Sequence, residues 1–131
     1  MIKKYILLYS CIDIGCMKYI SQSIQQRIIN LFASKNYAQI TFVTNEDIDS
    51  IETQIIFKSK LEDKPKVNGF IFFSIDQFCY GGINLELLKK ILYQNYDLYF
   101  AKEQIILKYK DKKISNKLKE LSIYSKIKFG K

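Results

Sequence analysis

Histidine is missing altogether from the 131 residues, and arginine occurs once, as Arg27. The first absence removes the commonest neutral-pH general base and the commonest metal ligand, so neither a Ser-His-Asp triad nor a histidine-based zinc site can be built here. The second leaves almost none of the planar forks with which nucleic-acid-binding proteins grip phosphates and base edges. One proline, five glycines and no low-complexity tract exclude collagen-like and linker material. The cysteines Cys11, Cys16 and Cys79 are odd in number and lack metal-ligand or CxxC spacing, a usage that fits a reducing cytoplasm. No apolar run approaches the roughly 18 residues that span a bilayer. Lys3-Lys4 ahead of an apolar stretch ending at Cys11 imitates a lipoprotein signal, but only six residues separate Lys4 from Cys11. A signal core needs roughly 7 to 15, so a buried first strand is the better reading.

Apolar residues make up 48% of the chain and aromatic ones 15%, enough for one domain with a real core. The formal net charge of +8 is unevenly placed. Residues 1–101 carry eleven cations and ten anions, whereas residues 102–131 carry ten lysines and three acids. The basic tail reads as a solvated helix face, or as a surface with nonspecific attraction for nucleic acid or membrane.

Pattern reading gives alternating strands and helices. Lys3 to Tyr9 is a short apolar run suited to a strand covered on both faces. From Ser21 the period changes: Ile24, Ile28, Leu31 and Phe32 form a helical stripe with Gln25, Gln26 and Arg27 partly off it, and Ser21 or Ser23 caps the start. A second strand is predicted over Gln39 to Val43. Asn45 then caps a helix carrying Ile48, Ile51, Ile55 and Ile56, which ends in the charged stretch from Lys58 to Lys66 around Pro65. Gly69 to Ile75 is too uniformly apolar for an edge and belongs at the sheet centre. Gly81-Gly82 break the chain before a helix lined by Leu85, Leu88, Ile91 and Leu92. Strands follow at Asp97 to Ala101 and Ile105 to Lys108. A Lys-rich helix at about 111–125 buries Ile114, Leu118 and Leu121 and exposes most of its lysines. The expectation is one α/β domain over residues 1–131, in three layers, with a mostly parallel sheet of four to five strands flanked by helices.

In such sheets ligands sit beyond the carboxyl ends of the strands, where strand order reverses. Two loops qualify, from Ser10 to Ile20 and from Asp76 to Gly82. Ser10 is the candidate nucleophile or hydroxyl donor, with Asp76 and Glu103 as acid or base. The plain alternative is a serine and an aspartate that only cap loop backbone. Cys11 and Cys16 are further thiol candidates, or inert small hydrophobes. Arg27 suits a bidentate anion contact or a surface ion pair. Gln77 and Tyr80 would complete a ligand site, and Gly81 and Gly82 would let helix amides approach a phosphate or carboxylate. No metal or cofactor is expected.

Two resemblances run through these residues. Leu8-Tyr9-Ser10, the run Gly69 to Ser74, and Asp97 to Glu103 leading into Gln104-Ile105-Ile106-Leu107 resemble the small bacterial family named for sporadic carbohydrate clusters, across nearly the whole chain. That family lies among surface-polysaccharide genes. Where its central strand is followed by Leu-Pro and an arginine, this chain has Gln77 to Gly82. More distantly, Tyr9-Ser10, Ile24 to Arg27 and Ile75 to Phe78 resemble the catalytic domain of serine recombinases, in which a serine attacks the DNA phosphodiester and arginines hold the phosphate. Here the arginine expected after the aspartate is Gln77, and the one three residues later is Tyr80. The resemblance therefore implies the resolvase-like fold without the recombination chemistry.

Together these likenesses imply a cytoplasmic, resolvase-like domain that participates in cell-surface polysaccharide biosynthesis, of capsule or lipopolysaccharide. It would act on or bind a sugar or nucleotide-sugar intermediate in the crevice. The alternative is a noncatalytic interaction or regulatory module of a glycan-assembly complex, as a homo-oligomer or on a protein partner. A third reading is a degenerate resolvase-like nucleic-acid binder; specific nucleic-acid recognition and a transmembrane segment are not expected.

Overall fold

The computed structural model describes residues 6–13, 20–46, 66–75 and 85–129. They form five strands, β1 (Ile6–Asp13), β2 (Ala38–Glu46), β3 (Gly69–Phe72), β4 (Asp97–Phe100) and β5 (Ile105–Leu107). Three helices accompany them, α1 (Gln22–Lys35), α2 (Leu85–Tyr93) and α3 (Ile114–Phe129). The strands make one sheet in the order β2-β1-β3-β4-β5. Every neighbouring pair is parallel except β4 with β5. The α/β class and the mostly parallel sheet are thus as the pattern of the chain predicts.

Alternation along the strands sends side chains to two cores. On one face, Leu8, Ile71, Phe73, Tyr99 and Ala101 pack with Ile29, Phe32 and Ala33 of α1. On the other, Tyr9, Phe70, Phe72, Leu98 and Phe100 pack with Leu88, Ile91 and Leu92 of α2 and with Leu118 and Leu121 of α3. Aromatic pairs knit the second core: Phe72 stacks on Phe100 at 5.7 Å between centroids, and Tyr96 meets Phe70 edge-on at 5.0 Å. Each such pair adds about 0.5–1.5 kcal/mol beyond its buried area.

β3 is central and wholly buried, as its apolar run requires. Its register is set at the entrance. Asn68 donates its backbone N–H to the Leu7 carbonyl at 2.7 Å and accepts the Leu7 N–H on Oδ1 at 2.7 Å, while its carbonyl takes the Asp97 N–H at 3.1 Å. Gly69 follows because a Cβ there would collide with the Asp97 carbonyl; only a bare backbone lets β3 lie this close to β4.

Several predicted boundaries move. β1 reaches Asp13, so Ser10 lies inside the strand and not at its end. β2 runs through Asn45 to Glu46, so Asn45 is strand and caps no helix; the rest of that predicted helix, and the charged stretch up to Pro65, lie outside the described residues. A bulge at Thr41 lets β2 keep pace with β1: Leu8 pairs with Ile40 and Tyr9 with Phe42.

In α1 the buried stripe is Gln25, Ile29, Phe32 and Ala33, one position round from the predicted one. Ile24 and Leu31 are 51% and 66% exposed. The anchor is Phe32, which meets Tyr99 edge-on at 6.3 Å. Ser21 caps the helix, its hydroxyl accepting from the Ile24 N–H at 3.3 Å. In α3, Leu118 and Leu121 are buried, Ile114 is half-buried, and Lys112, Lys113, Lys119 and Lys126 on or just before it are exposed. Lys117 is the exception, paired with Asp111. Among the described residues no helix is long and apolar enough to cross a membrane.

Candidate functional site at the carboxyl ends of the central strands

Strand order reverses between β1 and β3: β2 extends the sheet one way, β3 to β5 the other. The two strands pair from Leu8–Gly69 to Cys11–Phe72 and then part. β1 stays with β2 for two further residues, through Ile12–Asn45 and Asp13–Glu46. The chain after β3 turns its bonding to the connection between β4 and β5: the Ala101 N–H donates to the Phe72 carbonyl at 3.0 Å, and the Lys102 N–H to the Phe73 carbonyl at 2.7 Å. The sheet therefore opens between its two halves at the carboxyl end, the place where an open α/β sheet takes a ligand.

On the β3 side the wall is braced by Glu103. Its Oε2 accepts from the Ser74 hydroxyl at 2.7 Å, and its Oε1 accepts from the Ile75 N–H at 2.9 Å. The turn that presents it, residues 101–104, closes with the Gln104 N–H on the Ala101 carbonyl and holds Gln104 at a φ of 56°. One carboxylate oxygen thus holds the backbone where β3 runs out and the other the Ser74 side chain, a structural duty for a residue whose type and position suggested acid–base work. Ser74, fully buried, is the partner that sequence reasoning missed; the only signal was a serine closing a run of apolar residues.

Ser10 is fully buried on β1, beside Ile71 of β3. Its Oγ has no hydrogen-bond partner among the described residues. Ser10 lies one residue short of the point where β1 and β3 part, buried within the strand. Gln25, on the buried side of α1, donates its Nε2 to the Ile20 carbonyl at 2.9 Å, tying the helix start to the chain that leads into it. It too was assigned no part from the sequence.

Arg27 stands elsewhere. It is exposed on the solvent side of α1 with Ser23, Gln26 and Asn30, opposite the stripe that meets the sheet, so the structure does not bring it to Ser10 or Glu103. Asp76, Gln77, Tyr80, Gly81 and Gly82 lie outside the described residues, as do Cys16 and Cys79; Cys11 is described in backbone only. Of the predicted set, Ser10 and Glu103 are therefore the members placed near the opening. Among the described residues no group of cysteines and carboxylates is arranged to hold a metal.

The described carboxylate that burial shifts is Asp97, at the other end of the sheet. Partial burial raises its pKa above the ordinary carboxylate value, opposed by the Tyr109 N–H it accepts at 3.0 Å and by Lys108 and Lys110. No protein-family model, no curated protein and no solved structure matches the chain.

Proposed function

We propose that this chain serves the assembly of a bacterial cell-surface polysaccharide, as a cytoplasmic domain of resolvase-like fold that holds a sugar or nucleotide-sugar intermediate where β1 and β3 part. The observation that carries the site is the split itself: parallel central strands that separate at their carboxyl ends at the reversal of strand order. The sequence that follows β3, Asp76 to Gly82, supplies a carboxylate, an amide, a phenol and two glycines for the ligand's polar groups. The polysaccharide context comes from the family resemblance in the strand-end motifs.

The state of the two placed catalytic candidates favours holding over converting. Ser10 is buried within β1 just short of the opening, and both Glu103 oxygens are engaged with the β3 end. The same observation supports the second reading, a noncatalytic module of a glycan-assembly complex, with its lysine-rich C-terminal region facing the partner.

A thermal-shift screen with nucleotide sugars and sugar phosphates separates the two, because a ligand of the folded state raises its melting temperature by mass action. One responsive class, with the response lost in Asp76→Asn, supports the binding reading. No response to either class, with capture of a membrane-bound glycan enzyme, supports the module.

A further inference from the structure

The helix α3 has a second apolar side. Leu118 and Leu121 turn one side of it into the core, and Ile123 and Ile127 stand about half a turn round from them at roughly 3.6 residues per turn. Ile123 is 58% exposed and Ile127 80%, four residues apart and therefore neighbours on the same surface. Single exposed apolar side chains are ordinary on a protein surface. Two in helical register, opposite the helix's own buried stripe, make a second face.

Charge is arranged around this face. Lys119 precedes Ile123 by four residues and Lys126 follows it by three, so both border it on one flank, and both are exposed. Lys117 does not count towards it, because its ammonium is held by Asp111. Glu120, three residues before Ile123, is an exposed acid on the other flank. From Lys117 onward the sequence carries five lysines against that one acid. A phosphate backbone would satisfy the lysines and leave the isoleucines in water. A bilayer surface rich in acidic lipid satisfies both, with negative headgroups outside and acyl chains directly beneath.

We propose that this side of α3 docks on an anionic lipid surface. Ile123 and Ile127 enter the boundary between headgroups and acyl chains, and Lys119 and Lys126 meet the acidic headgroups. The contact is peripheral, since α3 is not long and apolar enough to cross a bilayer. Leu118 and Leu121 keep their places in the core, so docking requires no unfolding of the helix. The surface is independent of the opening between β1 and β3 and of what that opening holds.

The test is flotation of the full chain with vesicles of phosphatidylglycerol and phosphatidylcholine in equal parts, against vesicles of phosphatidylcholine alone. The mixed vesicles should bind at least about tenfold more tightly, and the difference should shrink as salt rises. Ile123→Gln combined with Ile127→Gln should weaken that binding about tenfold and leave the melting temperature unchanged, because both side chains lie outside the core. Lys119→Gln combined with Lys126→Gln should also weaken it about tenfold, and Glu120→Gln should strengthen it. No binding to the mixed vesicles, equal binding to both kinds, or binding indifferent to the isoleucine pair would overturn the proposal. A duplex DNA that binds more tightly than the mixed vesicles and ignores the isoleucine pair would overturn it in favour of a nucleic-acid surface.

Discussion

Glu103 and Ser74, 29 positions apart in sequence, are joined by a 2.7 Å hydrogen bond across the end of β3, and the second Glu103 oxygen takes the next N–H along the chain, that of Ile75. Hydrogen bonds to a charged group contribute about 1.5–3 kcal/mol, and an abandoned buried donor costs about 1–3 kcal/mol. Glu103→Ala should therefore lower unfolding free energy by about 2–4 kcal/mol in urea titration. Glu103→Gln should cost less, because an amide can accept from Ile75 and donate to Ser74. A neutral Glu103→Ala would mean that the brace is idle and would return Glu103 to the list of free carboxylates.

Ser10 offers the opposite case. A buried hydroxyl without a partner is a liability of about 1–3 kcal/mol, so Ser10→Ala should leave the melting temperature unchanged or raise it. Marked destabilisation would show that the hydroxyl is engaged in the folded chain.

Asp97 and Asp111 should pull acid stability in opposite directions. Asp97 is raised by burial, so it holds its proton more tightly folded than unfolded, and its contribution falls as pH climbs from about 4 through its raised value. Asp111 is lowered, chiefly by its bond with Lys117, so its contribution is present above about pH 4 and is lost as pH falls through the lowered value. Urea midpoints followed across the acid range should show less decline with rising pH in Asp97→Asn, and less acid loss in Asp111→Asn. Identical profiles for both variants would contradict the assignment.

α3 should divide sharply by face. Leu121 is 7% exposed in the second core, and Leu121→Ala should cost about 2–4 kcal/mol. Ile123, 58% exposed, should tolerate lysine within about 0.5 kcal/mol. Chemical denaturation of the two variants checks both. A costly Ile123→Lys would place that side chain in an interface.

The elements that the chain made legible are those whose pattern admits one solution. Gly69 to Phe73 is apolar at every position and could only be central, and Leu118 with Leu121 marked the buried face of α3 unambiguously. α1 was misread by one position because Ile24, Ile28 and Leu31 also keep helical spacing. What decides its rotation is the fit of Phe32 to Tyr99, a contact between residues 67 apart that no local window contains. Asn45 looked like a cap because asparagine favours helix starts, yet pairing with Ile12 draws it into β2. At the site, the residue types at the strand ends were readable, but their duties were not. Whether a glutamate stands free or braces a strand end depends on where a turn from another strand delivers it.

The antiparallel β5 ends the sheet after only three residues. It is flanked in sequence by Lys102, Lys108 and Lys110, all exposed. Two molecules that tried to join their sheets through this margin would gain few backbone bonds and would crowd like charges together. Self-association along β5 is thereby disfavoured, and it should become easier as salt screens the lysines.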